Sequence, residues 1–239
     1  MMHLLLPLPF RSALSTRASL MMEHDETFDD NPFAALFETT GWAQLTQELD
    51  GIPAFACANA LGESLCYADD RLQGTPAVGL PLKVFYAELS AALQALASAE
   101  ALYPSQELQL ISEGLGSAFR QSCEGSAILI PSSRELEVAG APAGMPPAGQ
   151  PLPLFAYEEL CWEEPDDSLQ FPLFMSSDEA SAAAIEAVAR DGGDLRALEM
   201  VCLPLPQAVE TALMDVQAPD FTFVAPAASL EYLRGAKCR

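Results

Sequence analysis

The sequence predicts an α/β (α+β) protein built from two diverged copies of one unit, each a mixed sheet with covering helices. Three observations predict it. Ile52-Pro53-Ala54-Phe55-Ala56 returns as Leu152-Pro153-Leu154-Phe155-Ala156, about 100 residues further on. Short apolar runs suited to buried strands alternate with stretches whose apolar residues recur at helical spacing. Residues 140–149, dominated by Pro, Gly and Ala, can continue neither a helix nor a central strand, and so read as a linker between the copies.

The elements follow in the same order in both copies. Before the first copy, Phe33, Leu36, Phe37, Leu45 and Leu49 lie at roughly helical spacing behind Pro32, predicting an N-terminal helix. After the Pro-apolar-Phe strand, residues 82–85 answer 171–174 as a buried strand. An Ala-rich amphipathic helix follows each, with Leu89, Leu93 and Leu96 on one face in the first copy. In the second, Ala180, Ala184, Ile185 and Val188 hold that place, and Ser176 or Ser177 starts the helix. Strand 108–111 answers 198–201. The next helix carries Leu115, Ala118 and Phe119, then Leu205, Ala208 and Val209. Each copy closes with a strand that ends in proline, Ile128-Leu129-Ile130-Pro131 against Phe223-Val224-Ala225-Pro226. A short helix follows, bearing Leu136, then Leu230 and Leu233. The resulting division is 1–30, a leader and acidic segment; 31–139, N-terminal helix and repeat 1; 140–149, linker; and 150–239, repeat 2.

Charge sets the partners. The formal net charge is −23 over 239 residues, half of them apolar, and Lys83 and Lys237 are the only lysines. Such a chain can bury a core, but it repels phosphate backbones, which excludes nucleic acid as a partner. Residues 1–22 depart from this pattern. They contain Arg11, Arg17 and several hydroxyl residues but no acid, while Asp25, Glu26, Asp29 and Asp30 follow at once. That composition is either an organellar transit peptide or an extended start ahead of Met21 or Met22. No stretch approaches the roughly 18 uninterrupted apolar residues of a membrane span. Six cysteines include no Cys-x-x-Cys. Cys57 and Cys66 would face each other across a Leu61-Gly62 turn, where pairing is strained, so free thiols are expected.

Catalytic chemistry finds little to use. The only histidines are His3 and His24, outside the body of the chain, which removes histidine-based triads, most zinc hydrolases and histidine general bases. Glu158-Glu159, Glu163-Glu164 and Asp166-Asp167 crowd one hairpin, better read as a solvated acidic loop than as a weak calcium site. Gly114-Leu115-Gly116 lacks the third glycine of a dinucleotide loop. Trp42 and Trp162 are explained by packing. No catalytic, cofactor-binding or metal residue is assigned, and apolar surface remains as the functional candidate.

The repeat, in this order, resembles the soluble twenty-two-kilodalton Tic family of the plastid import machinery, which has cyanobacterial members. The resemblance rests on Ile52-Pro53-Ala54-Phe55 and on the Phe-then-helix element around Phe174 and Ala184. It continues through Leu198-Glu199-Met200-Val201-Cys202-Leu203-Pro204, Val209-Glu210-Thr211-Ala212-Leu213, Phe223-Val224-Ala225-Pro226 and Ser229-Leu230-Glu231-Tyr232-Leu233. It implies repeats related by a pseudo-twofold axis, with apolar pockets, and a non-catalytic, chaperone-like factor without a cofactor. It further implies a plastid protein, in the intermembrane space of the envelope, whose partners are unfolded or precursor polypeptides and envelope translocon components. Association with membranes would be peripheral. On this reading Leu115, Phe119, Leu205 and Val209 would line polypeptide-binding pockets; the plainer reading of each is ordinary core. The acidity and the Pro-rich linker depart from the family. Two alternatives stand beside it: an SseB-like interaction protein of the cytoplasm, and an enzyme of unfamiliar type.

Overall fold

Pro53 and Pro153 each open a strand at the first position, where a missing N–H costs least. The computed structural model describes residues 2–4, 31–67, 82–163, 169–214 and 220–236. From β1 (Met2–Leu4) the described chain passes to α1 (Ala34–Phe37) and α2 (Thr40–Leu49). The first repeat runs β2 (Pro53–Ala58), β3 (Cys66–Tyr67), β4 (Leu82–Tyr86), α3 (Leu89–Leu102), β5 (Gln109–Gly114), α4 (Leu115–Cys123), β6 (Ala127–Ile130) and α5 (Ser133–Val138). The second repeats that order as β7 (Pro153–Tyr157), β8 (Leu160–Glu163), β9 (Leu169–Phe174), α6 (Ser177–Asp191), β10 (Met200–Pro204), α7 (Leu205–Met214), β11 (Asp220–Val224) and α8 (Ala227–Ala236). One 3₁₀ turn, Leu195–Ala197, is added before β10.

Both sheets are mixed and share one topology. In the first, β4 pairs in parallel with β6 on one side; on the other it meets β2 and β3 antiparallel, and β5 extends the sheet beyond β2. In the second, β9 pairs in parallel with β11 and antiparallel with β7 and β8, and β10 lies beyond β7. A sixth strand, β1, adds antiparallel to β8. The expected mixed α+β repeat is therefore present. The pairing shifts two of its equivalences by one residue. Tyr86 faces Phe55 as Phe174 faces Phe155, so Tyr86, not Phe85, is the counterpart of Phe174. Tyr86 pairs with Ile130, and Phe174 with Val224, so Ile130 answers Val224 and the two closing prolines are not equivalent.

The chain falls into two compact units, one holding residues 2–4 and 153–224, the other 31–152 and 225–236. In the former, Phe155, Tyr157, Leu160 and Phe174 form a core with Ala180, Ala184 and Ala187 of α6. In the latter, Phe55 and Phe85 are fully buried, and the Tyr232 ring of α8 meets Phe55 edge-on at 5.9 Å.

Helix starts follow side-chain caps: Thr39 accepts the N–H of Trp42, Ser132 that of Glu135, and Ser176 that of Glu179. Thr39 also explains why the predicted N-terminal helix is two helices, because its extended backbone breaks the run after α1. The apolar faces turned to the sheets are smaller than expected. Ala92 of α3 and Ala180, Ala184 and Ala187 of α6 are buried, whereas Leu93 and Ile185 are 42 % and 53 % exposed. Alanine lets the helix axis approach the sheet closely, and the bulkier residues are turned to the flank.

Candidate functional site

The helix after β5 is held at its start by a group from outside the repeat. Asp50, the C-cap of α2, accepts the Ser117 N–H at Oδ1 (2.9 Å) and the Ser117 hydroxyl at Oδ2 (3.3 Å). The N-cap of α4 is Gly114, which has no side chain to do this. A Cβ on Gly114 would lie 2.6 Å from the Asp50 Cα, and one on Gly116 would meet Leu49 and Thr46 at 3.2 Å. The two glycines thus serve backbone approach rather than a phosphate loop.

The cap sets the face that α4 turns inward. Leu115 is fully buried and Phe119 is 4 % exposed. Phe33 and Phe37 meet the Phe119 ring edge-on at 5.6 and 6.3 Å, and Trp42 lies at 6.2 Å. Arg120 sits 5.5 Å over the Phe37 ring and pairs with Glu124 at 2.7 Å and Glu38 at 3.7 Å. The N-terminal helices therefore cover the α4 face within this unit.

In the other unit α7 carries Leu205 and Val209, both at 0 % exposure. Its start is solved differently: Pro204 and Pro206 stand where the first repeat has Gly114 and Gly116, and proline has no N–H to satisfy. Leu115, Phe119, Leu205 and Val209 are thus two pairs in equivalent helices, each buried in this conformation. Sequence reasoning missed Asp50, whose partner lies 67 residues away, and the aromatic cover over Phe119.

The exposed apolar residues lie elsewhere. Leu61, Leu102 and Tyr103 of one unit and Ile185 and Met214 of the other are all more than half exposed. Among the described residues no group of three His, Cys, Asp or Glu could hold a metal ion. Burial pushes the Cys57 thiol up, and burial together with Glu124 pushes Cys123 up to about 12, so neither is primed as a nucleophile. Cys57 faces Leu65 across the turn, not Cys66, because the bridge is Ala58 to Ser64. The two thiols are accordingly free, one buried and one exposed. Among the described residues no helix is long and apolar enough to cross a membrane.

Duplicated mixed sheets with their middle helices facing inward define a two-repeat α+β protein. Its fold is that of Tic22. A solved Tic22 from Anabaena, described as a protein of protein transport, matches with a TM-score of 0.58 at 16 % identity, covering 81 % of this chain and 96 % of that one. Tic22 from Plasmodium falciparum matches with a TM-score of 0.62 at 17 % identity, covering 81 % and 98 %. No family model and no curated protein matches the sequence.

Proposed function

We propose that this protein is a Tic22-like, non-catalytic polypeptide-binding factor of protein import. The observation that carries the reading is the fold shared with two Tic22 structures over four-fifths of the chain, one of them described as acting in protein transport. Its partners are unfolded or precursor polypeptides and components of an envelope translocon, and its place is the plastid, in the intermembrane space. The acid-free residues 1–22 support that address. On this reading Leu115, Phe119, Leu205 and Val209 become client-binding only when their covers move, because each is at most 4 % exposed.

Suppression of aggregation of thermally unfolded citrate synthase by the full chain tests binding. Light scattering should fall progressively as the protein is raised to several-fold excess. No reduction at that excess overturns the reading. Residues 1–30 fused to a fluorescent reporter should enter plastids; retention in the cytoplasm favours the SseB-like alternative.

A further inference from the structure

β8 has its inner side paired with β9, through Trp162 with Gln170 and Glu163 with Leu169. Its outer side is filled by the chain's own β1, antiparallel, with Met2 opposite Trp162, His3 opposite Cys161 and Leu4 opposite Leu160. The same position in the first repeat is the outer side of β3, which pairs with no strand among the described residues. The fold thus presents one edge of this type occupied and one without a described partner. An edge strand offers a row of backbone N–H and C=O groups, and addition of an extended peptide is the usual way such a row is satisfied.

What occupies the edge identifies its ligand. β1 belongs to the longest acid-free stretch of the chain: residues 1–22 carry Arg11 and Arg17 among Leu, Ser and Pro, against a whole chain at −23. It pairs over three residues, fewer than hold a strand by themselves, and it lies against α6, whose sheet-facing residues are Ala180, Ala184 and Ala187. Such a strand is held largely by being tethered, so a segment of the same chemistry on another chain can replace it. An acidic protein would draw an acid-free, Arg-bearing segment and repel an acidic one.

From this geometry we infer that the outer edge of β8 is a strand-addition site for extended, acid-free, Arg-bearing N-terminal segments of precursor polypeptides, and that Met2–Leu4 is a competitor for it as long as the leader is retained. The inference rests on the polypeptide-binding reading and specifies where and how one class of client is held. Main-chain pairing would make it tolerant of sequence, while the alanine face of α6 and the negative charge would select for apolar, basic segments.

The probe is a fluorescein-labelled synthetic peptide of residues 1–17 of this chain, measured by anisotropy against three full-length forms. The first is the parent. The second, His3→Pro with Leu4→Pro, releases the resident strand, since proline cannot sustain the ladder. The third, His3→Cys, is oxidised to link that position to Cys161 opposite and compared with its own reduced form. The released form should bind at least tenfold more tightly than the parent. The oxidised form should bind at least tenfold more weakly than the same protein reduced, and salt should weaken binding throughout.

Equal affinity in all forms overturns the inference. A released form that dimerises in light scattering without binding peptide assigns the edge to a second copy and also overturns it. If citrate synthase is protected equally by locked and released forms, the edge proposal falls while the polypeptide-binding reading stands. If no form protects it, the broader reading falls.

Discussion

Asp50 and Ser117 are joined across 67 residues by a carboxylate that accepts both the backbone N–H and the hydroxyl of the serine. The contact ties the end of α2 to the start of α4 and fixes which face of α4 is buried. It also explains Gly114 and Gly116, which a sequence reader meets as a fragment of a nucleotide motif. Removing the cap with Asp50→Ala should cost about 1 kcal/mol. Adding a methyl at Gly114 should cost more, about 2 to 3 kcal/mol, because it runs into the Asp50 backbone. Urea unfolding of both variants checks the order; a milder effect for Gly114→Ala would contradict the packing described.

Phe119 sits among Phe33, Phe37 and Trp42, so Phe119→Ala should lose about 3–5 kcal/mol. Leu93→Ala and Ile185→Ala, at positions 42 % and 53 % exposed, should each stay within about 0.5 kcal/mol of the parent. Thermal unfolding of the three variants distinguishes core from surface, and a large loss at Leu93 would restore the face expected from spacing.

Thr46 Oγ1 is buried without a hydrogen-bond partner among the described residues. Thr46→Val keeps the shape and removes the unsatisfied oxygen, so it should be neutral or stabilising, by up to about 1 kcal/mol. A clear loss of stability on urea unfolding would mean that the hydroxyl is bonded in solution.

Cysteine labelling should separate along the same lines. With the Cys123 thiol pushed up to about 12, about one part in ten thousand is thiolate at pH 8. Iodoacetamide on the folded protein should therefore modify exposed Cys66 and Cys202 ahead of the others described, and Cys57 and Cys123 only after unfolding. Peptide mass mapping would refute this if Cys123 reacted as fast as Cys66.

The same shift links stability to pH. Between about 9 and 12 the folded chain retains the Cys123 proton and the unfolded chain does not, so unfolding releases a proton and stability falls as pH rises. Cys123→Ser should flatten that fall, measured as the difference in unfolding midpoint between pH 8 and 10.5. An unchanged slope would show that the thiol is not desolvated.

Much of the fold was legible because it is written in local pattern. The strands at Pro53 and Pro153, the Ser176 cap and the order of elements all follow from nearest neighbours in sequence. Register was less so: Phe85 and Tyr86 are both aromatic, and only the partner strand decides which one faces Phe55. The apolar faces of α3 and α6 misled because leucine and isoleucine signal burial more strongly than alanine, although alanine is what a close helix–sheet approach requires. The four apolar residues proposed as client-binding were identified as a set, but whether such residues are core or surface depends on what covers them. For Phe119 that cover comes from α1 and α2, outside the repeat.

The placement of α8 bears on how the protein is made. Phe55 lies in the first strand of its repeat, yet Tyr232 against it is supplied from beyond the entire second repeat. A ribosome, or a pore delivering the chain N-terminus first, releases these surfaces far apart in time. Until residues 225–236 emerge, the earlier unit has every strand of its sheet but lacks its last helix. Vectorial folding of this chain must therefore end with a closing step, and anything that delays the final helix prolongs exposure of the first strand.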